Sequence, residues 1–197
     1  MGQIPLTLRR WQRAEYDRLV DLGIFHGEPI ELIGGQLVVA EPKGAYHVST
    51  VTKIEYALRA VLPPGWLVRS QAPMWLDDES EPEPDLAVVP GGLDDYLDSH
   101  PSRVALLIEV ADSSLAFDRE RKGSLYARAG VADYWIVNLI DHVLEVHREP
   151  VSDAAAVHGW RYASIVRLGP SVSVTALAFA HHPILVSDLL PSRRRGT

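Results

Sequence analysis

Residues 104–139 read VALLIEVADSSLAFDRERKGSLYARAGVADYWIVNL, and they decide the fold. The run 104–111 is apolar at every position except Glu109, the composition of a strand buried on both faces. Residues 117–129 read as a helix that ends at Gly130, a residue suited to closing a helix. Residues 134–139 form a second strongly apolar strand. A strand, a helix and a strand joined by short loops make a βαβ unit. Its two strands are expected to be parallel, with a right-handed crossover.

Working outward, residues 86–89 form another apolar strand, closed by Pro90-Gly91-Gly92. It follows LDDESEPEPD, residues 76–85, which hold six carboxylates. Residues 66–71 and 74–76 read as two further strands. Residues 46–62 read as a helix with Val48, Val51, Ile54, Leu58 and Val61 on one stripe, stopped by Pro63-Pro64-Gly65. Residues 30–33 and 36–40 flank Gly34-Gly35 and read as a hairpin. Thr7 is a candidate cap for a first helix over 7–22, ahead of Gly23. Residues 93–100 read as a short helix or an irregular loop. Downstream, 144–148, 160–167 and 172–178 read as strands, 149–159 as a polar loop, 184–190 as a last helical turn and 192–197 as a disordered tail. The expectation is a single domain over 1–191, of α/β class. A mixed sheet is flanked by helices, and helix 7–22 is an appendage.

Composition sets limits on function. With 47% hydrophobic and 23% charged residues, the 197-residue chain has the balance of a folded domain. It contains no cysteine, so disulfides, thiolate nucleophiles and cysteine-ligated metals are excluded. Any metal must take oxygen or imidazole ligands. The net charge of −7 is the opposite of a generic basic nucleic-acid binder. No run approaches the roughly 18 apolar residues of a membrane span, and the first residues lack a continuous apolar segment, so a cytoplasmic protein is expected. No Walker loop, GxSxG, GxGxxG or HExxH pattern is present.

Glu109 is the most informative residue, because a carboxylate inside a buried strand is costly unless it is paired or binds a metal. The plainer alternative is a strand-end carboxylate in solvent or paired with an arginine. Asp85 opens the apolar strand 86–89, and Glu31 is the second residue of the first hairpin strand. Asp85 alone also reads as a capping or turn acid. Together, three acids at apolar sites call for a compensating cation, and oxygen donors favour Mg²⁺ or Mn²⁺. Lys122 lies 13 residues after Glu109, on the following helix. It can point back beside Glu109, but spacing alone favours a surface pair with Asp118 at i−4. His47, at the start of the second helix, reads equally as a helix-terminus residue or a site-facing one.

These segments resemble the Uma-two family, a branch of the PD-(D/E)XK nuclease superfamily. The matching stretches are IELIGGQLV (30–38), His47, PEPDLAVVP (82–90), LLIEVADSS (106–114) and DRERKGSLYARAGVADYWIVN (118–138). They cover roughly residues 8–190. The resemblance implies a restriction-endonuclease-like core in which Asp85 is the metal-binding acid and Glu109 the acid of the (D/E)XK strand. The usual place of the lysine holds Ala111, and Lys122 matches a position that has migrated to the next helix. Glu31 matches an additional acid. The turn 111–114 departs from the family's Leu-Ser-Pro-Ser-like pattern by carrying Asp112.

The implied activity is metal-dependent hydrolysis of DNA phosphodiester bonds. Asp85, Glu109, the Val110 carbonyl and Glu31 are then the candidate donors to Mg²⁺ or Mn²⁺, and Lys122 orients the attacking water. DNA contact is expected to be weak, local to arginines such as Arg119, Arg121 and Arg128, or aided by homodimer formation. The alternatives are a non-catalytic interaction protein that keeps the nuclease fold and a metal hydrolase of small phosphoesters.

Overall fold

Alternation along one strand determines which way Glu109 points. In β5 (Leu106–Ala111), Leu106, Ile108 and Val110 pack into one apolar cluster, and Leu107 and Ala111 into another. Glu109 alternates with the second set, so its side chain emerges on that face. The computed structural model describes residues 7–192.

In chain order the elements begin with α1 (Arg13–Asp21), hairpin strands β1 (Ile30–Ile33) and β2 (Gln36–Val39), α2 (Ala45–Val61), β3 (Trp66–Ser70) and β4 (Leu86–Pro90). After β5 comes one helical rod made of α3 (Leu115–Phe117), a π turn (Asp118–Lys122) and α4 (Gly123–Arg128). Strands β6 (Asp133–Asn138), β7 (Val143–Ser152), β8 (Trp160–Leu168), β9 (Ser173–Val174) and β10 (Ile184–Leu185) follow, and α5 (Val186–Leu189) comes last. The main sheet has the order β3-β4-β5-β6-β7-β8. Within it β5 and β6 are parallel, as a βαβ unit requires, and the other neighbours are antiparallel.

Helices cover both faces. Val51, Ile54 and Leu58 of α2 and Val186 and Leu189 of α5 pack on the face that carries Ile108, Trp135 and Val137. Leu125 and Tyr126 of α4 and Ile33 of the hairpin pack on the face that carries Leu107, Tyr134 and Ile136. Each large side chain buried this way contributes about 1.5–3 kcal/mol. Gly34 and Gly35 both have positive φ, +54° and +77°, the backbone of a two-residue hairpin turn. A Cβ at Gly34 would also collide with the His158 ring.

Several expectations are corrected. The first helix is shorter than 7–22. Thr7 does not cap it; Gln12 and Glu15 form the capping box, because the chain just before them is held extended by the Trp11 N–H bonding to the Gly35 carbonyl. Residues 74–76 are not a strand: Met74 and Leu76 donate their N–H groups to Pro82 and Ser80 in a tight local loop. Residues 93–100 do match expectation, beginning with a short 3₁₀ turn, Leu93–Tyr96. The polar stretch 149–159 is a loop only over 153–159, since β7 runs on to Ser152 and β8 starts at Trp160. Regular strand within 172–178 is limited to β9, and 184–190 starts as β10 before its helical turn. Apart from residue 192, the proposed tail lies outside the described residues. Among those residues, no helix is long and apolar enough to cross a membrane.

Asp133 at the start of β6 is fully buried and accepts hydrogen bonds from Trp135 Nε1, Arg148 Nε and the Leu177 N–H, each at 2.8 Å. Arg148→Met leaves that carboxylate without its cation. Urea denaturation should show a loss of about 3–5 kcal/mol. The double variant with Asp133→Asn should lose less than the sum of the two single changes.

Candidate active site

The β4–β5 register pairs Leu86 with Ile108, and one step further sets Asp85 across from Glu109. Backbone hydrogen bonds tie the two acids together. The Asp85 N–H donates to Glu109 Oε2 at 3.3 Å, and the Val110 N–H donates to Asp85 Oδ2 at 2.8 Å. Both side chains are buried.

The helical rod brings the cation. The Gly123 N–H bonds back to the Asp118 carbonyl, the five-residue reach of a π turn, and Tyr134 OH holds the same carbonyl at 3.0 Å. Lys122 is the last residue of this turn, and Tyr126 lies one α turn beyond it. Both reach the same oxygen: Lys122 Nζ is 3.0 Å and Tyr126 OH 2.7 Å from Glu109 Oε1. Lys122 Nζ also lies 3.5 Å from Glu31 Oε2, which accepts the Glu83 N–H at 3.1 Å. Lys122 is only 7% exposed. Its ion pairs are with Glu109 and Glu31, not with Asp118, whose carboxylate takes the Ser114 hydroxyl instead.

On the opposite side of Asp85, Lys43 Nζ lies 2.8 Å from Oδ1 and His47 Nε2 lies 3.0 Å from Oδ2. These groups line a cleft of about 470 Å³ with Glu31, Glu83, Val110 and Asp118. Its walls are β2, the connection 40–44 and the first turn of α2.

Electrostatics separates the two central acids. Burial pushes the Asp85 carboxyl up, but His47 and Lys43 outweigh it and hold it at about 2. Burial also pushes Glu109 up. Lys122 pulls it down, and Asp85, Asp118 and Glu31 push it up again, leaving it at about 8. Burial opposes the Lys122 charge, yet Glu109, Glu31 and Asp118 hold its pKa well above the usual lysine value, so it stays an ammonium. Asp118 and Glu83 are also raised, chiefly by burial. The cleft therefore holds more carboxylate than its cations neutralise.

Asp85, Glu109, Glu31, Lys122 and His47 thus lie in one cleft. Val110 contributes its N–H to Asp85. Sequence reasoning missed Lys43, Tyr126, Glu83 and the cleft position of Asp118. Tyr126 could have been found by its i+4 spacing from Lys122, whereas Lys43 carries no sequence signal. Two arginines expected at DNA are committed elsewhere. Arg119 bonds the buried Glu145, and Arg128 pairs with Asp77. Arg121 bonds Gln36.

The residues fit a hard divalent cation. Asp85, Glu109 and Glu31 offer oxygen only, in a cleft with excess negative charge. Among the described residues, no three His, Asp or Glu side chains converge as a ready ion cage. Mg²⁺ does not need one, since it is held by one or two carboxylates and keeps several waters.

A mixed sheet flanked by helices, with an acid–lysine cleft at one end of its central strands, defines a restriction-endonuclease-like α/β protein. Residues 13–179 match the model of the Uma2 family, described as "Putative restriction endonuclease", and the chain belongs to that family. Its fold is similar to the crystal structure of "a putative nuclease belonging to DUF820" from Anabaena variabilis. The TM-score is 0.58 at 12% identity, covering 81% of this chain and 88% of that one. No curated protein matches the chain.

The raised Glu109 pKa has a signed consequence. A carboxyl raised from 4.5 to about 8 stabilises the fold fully below the lower value and loses that contribution as pH rises through the upper one. Urea melts in chelator should show metal-free protein losing stability from about pH 5 to 8. Glu109→Gln should flatten that slope. An unchanged slope would place the proton elsewhere.

Proposed function

We propose that the protein is a metal-dependent endonuclease that hydrolyses DNA phosphodiester bonds, acting as one nuclease-like domain over residues 1–191. The observation that carries this reading is Lys122. An ammonium buried between Glu109 and Glu31 is expensive, since each desolvated ion costs several kcal/mol before pairing. Here it lines an open cleft beside Asp85 rather than a closed core.

A divalent cation such as Mg²⁺ or Mn²⁺, held by Asp85 and Glu109 with Val110 O and Glu31 as further oxygens, would supply Lewis-acid polarisation of the phosphoryl group. Lys122 keeps its proton, so it acts as a hydrogen-bond donor. It orients the attacking water and stabilises charge growing on a phosphoryl oxygen. Glu31 fixes the ammonium, Tyr126 fixes Glu109, and His47 with the Val110 N–H fixes Asp85. The water oxygen bonds to phosphorus as the opposite P–O ester bond breaks; the water gives up one proton to solvent and the departing oxygen takes one up, so no net proton is lost or gained. The first turn of α2 lines the cleft and holds no acid, which favours a phosphate there.

One observation favours a second reading, a small phosphodiester substrate. With Arg119 and Arg128 paired internally, few cations are left to follow a long polyanion. Plasmid and short-duplex cleavage, set beside hydrolysis of bis(p-nitrophenyl) phosphate, separates the two. Cleavage of neither substrate with Mg²⁺ or Mn²⁺ would leave the non-catalytic alternative.

Because Lys122 is buried among acids, the informative variant is Lys122→Gln, which keeps volume and a donor while removing the charge. Cleavage should fall by about 10²–10³, the loss typical of one electrostatic stabiliser. Calorimetry should find Mn²⁺ affinity retained or increased. Full activity in a folded Lys122→Gln protein would contradict the role.

A further inference from the structure

The two lysines of the cleft are built differently. Lys122 is buried, with two carboxylates around it. Lys43 reaches in from the connection between β2 and α2, and its side chain is 32% exposed, whereas that of Asp85 is 5% exposed. It meets a single oxygen, Asp85 Oδ1, at 2.8 Å. The other oxygen, Oδ2, is already occupied by the Val110 N–H and His47 Nε2. Among the described residues, Oδ1 is therefore the oxygen of Asp85 whose only hydrogen-bond partner is a side chain able to swing away.

Lys43 is about a third exposed and can return its ammonium to water, whereas the buried Asp85 needs a cation beside it, so this ammonium can be exchanged for another cation. A divalent cation binds a carboxylate oxygen at about 2.0–2.1 Å, and an ammonium on the same oxygen both crowds and repels it. Resting on the metal-dependent reading above, we propose that Lys43 is the exchangeable counter-ion of this site. It neutralises Asp85 when no divalent cation is bound and releases Oδ1 when one arrives. Its freed ammonium then stays in the cleft as a contact for a substrate phosphate. The cleft lining supports this second role, because Lys43 stands beside Gly44 and Ala45 of the α2 start on the open wall.

The test uses the full chain, Lys43→Gln, and Arg121→Gln as a control for generic charge removal. Among the described residues, Arg121 hydrogen-bonds Gln36 and stands outside the cleft lining. Calorimetry with Mn²⁺ alone should show about 3–10-fold tighter binding in Lys43→Gln and a change under about twofold in Arg121→Gln. Metal-free Lys43→Gln should melt below wild type, and saturating Mn²⁺ should erase or reverse that gap. A short DNA duplex in Ca²⁺ should bind Lys43→Gln more weakly than wild type. If wild type binds Mn²⁺ and Lys43→Gln binds it no more tightly, or no more tightly than Arg121→Gln does, the exchange is overturned while the metal site stands. If DNA binding is unchanged, the phosphate contact is overturned. If neither wild type nor Lys43→Gln takes up Mn²⁺, the metal-dependent reading itself fails, and the exchange with it.

Discussion

The buried pair of Glu109 and Lys122 is the constraint around which the molecule is organised. A carboxylate in the centre strand of a sheet is tolerated only if a cation reaches it without solvent. That cation must come from the element crossing over β5. The π turn and α4 deliver it, and Tyr126 follows on the same oxygen. The hairpin is fixed by the same requirement, since β1 places Glu31 against the ammonium. Asp85 is brought in by the β4–β5 register.

Most of the scaffold was legible because it rests on strong local signals. The two apolar runs of β5 and β6, the Gly-Gly turn and the stripe of α2 each imply one structure with little competition. What was illegible depended on long-range partners. Thr7 has capping chemistry, yet the chain before α1 is held extended by Gly35. Residues 74–76 have strand composition, but their N–H groups bond to the Pro82, Pro101 and Ser80 carbonyls instead of to a partner strand. The site was partly legible for the same reason. Glu109 stood out by violating its strand, while α-helical spacing alone favoured setting Lys122 against Asp118. The wider turn, which no residue pattern announces, sends Lys122 to Glu109 instead. Lys43 sits in a Pro-Lys-Gly connection that looks like any loop.

The acidic stretch before β4 is less of an obstacle to a polyanionic substrate than its composition suggests. Asp77 pairs with Arg128 and Glu79 with Arg10. Burial, then Asp17, pushes the Glu81 carboxyl well above the usual carboxylate range.

The most direct test of the central claim is anomalous diffraction from crystals soaked in Mn²⁺. The account predicts a manganese peak in the cleft, bound by the carboxylates of Asp85 and Glu109, with the Lys122 ammonium still beside Glu109. A cleft without a peak at saturating Mn²⁺, or a peak whose ligands exclude both acids, would contradict it.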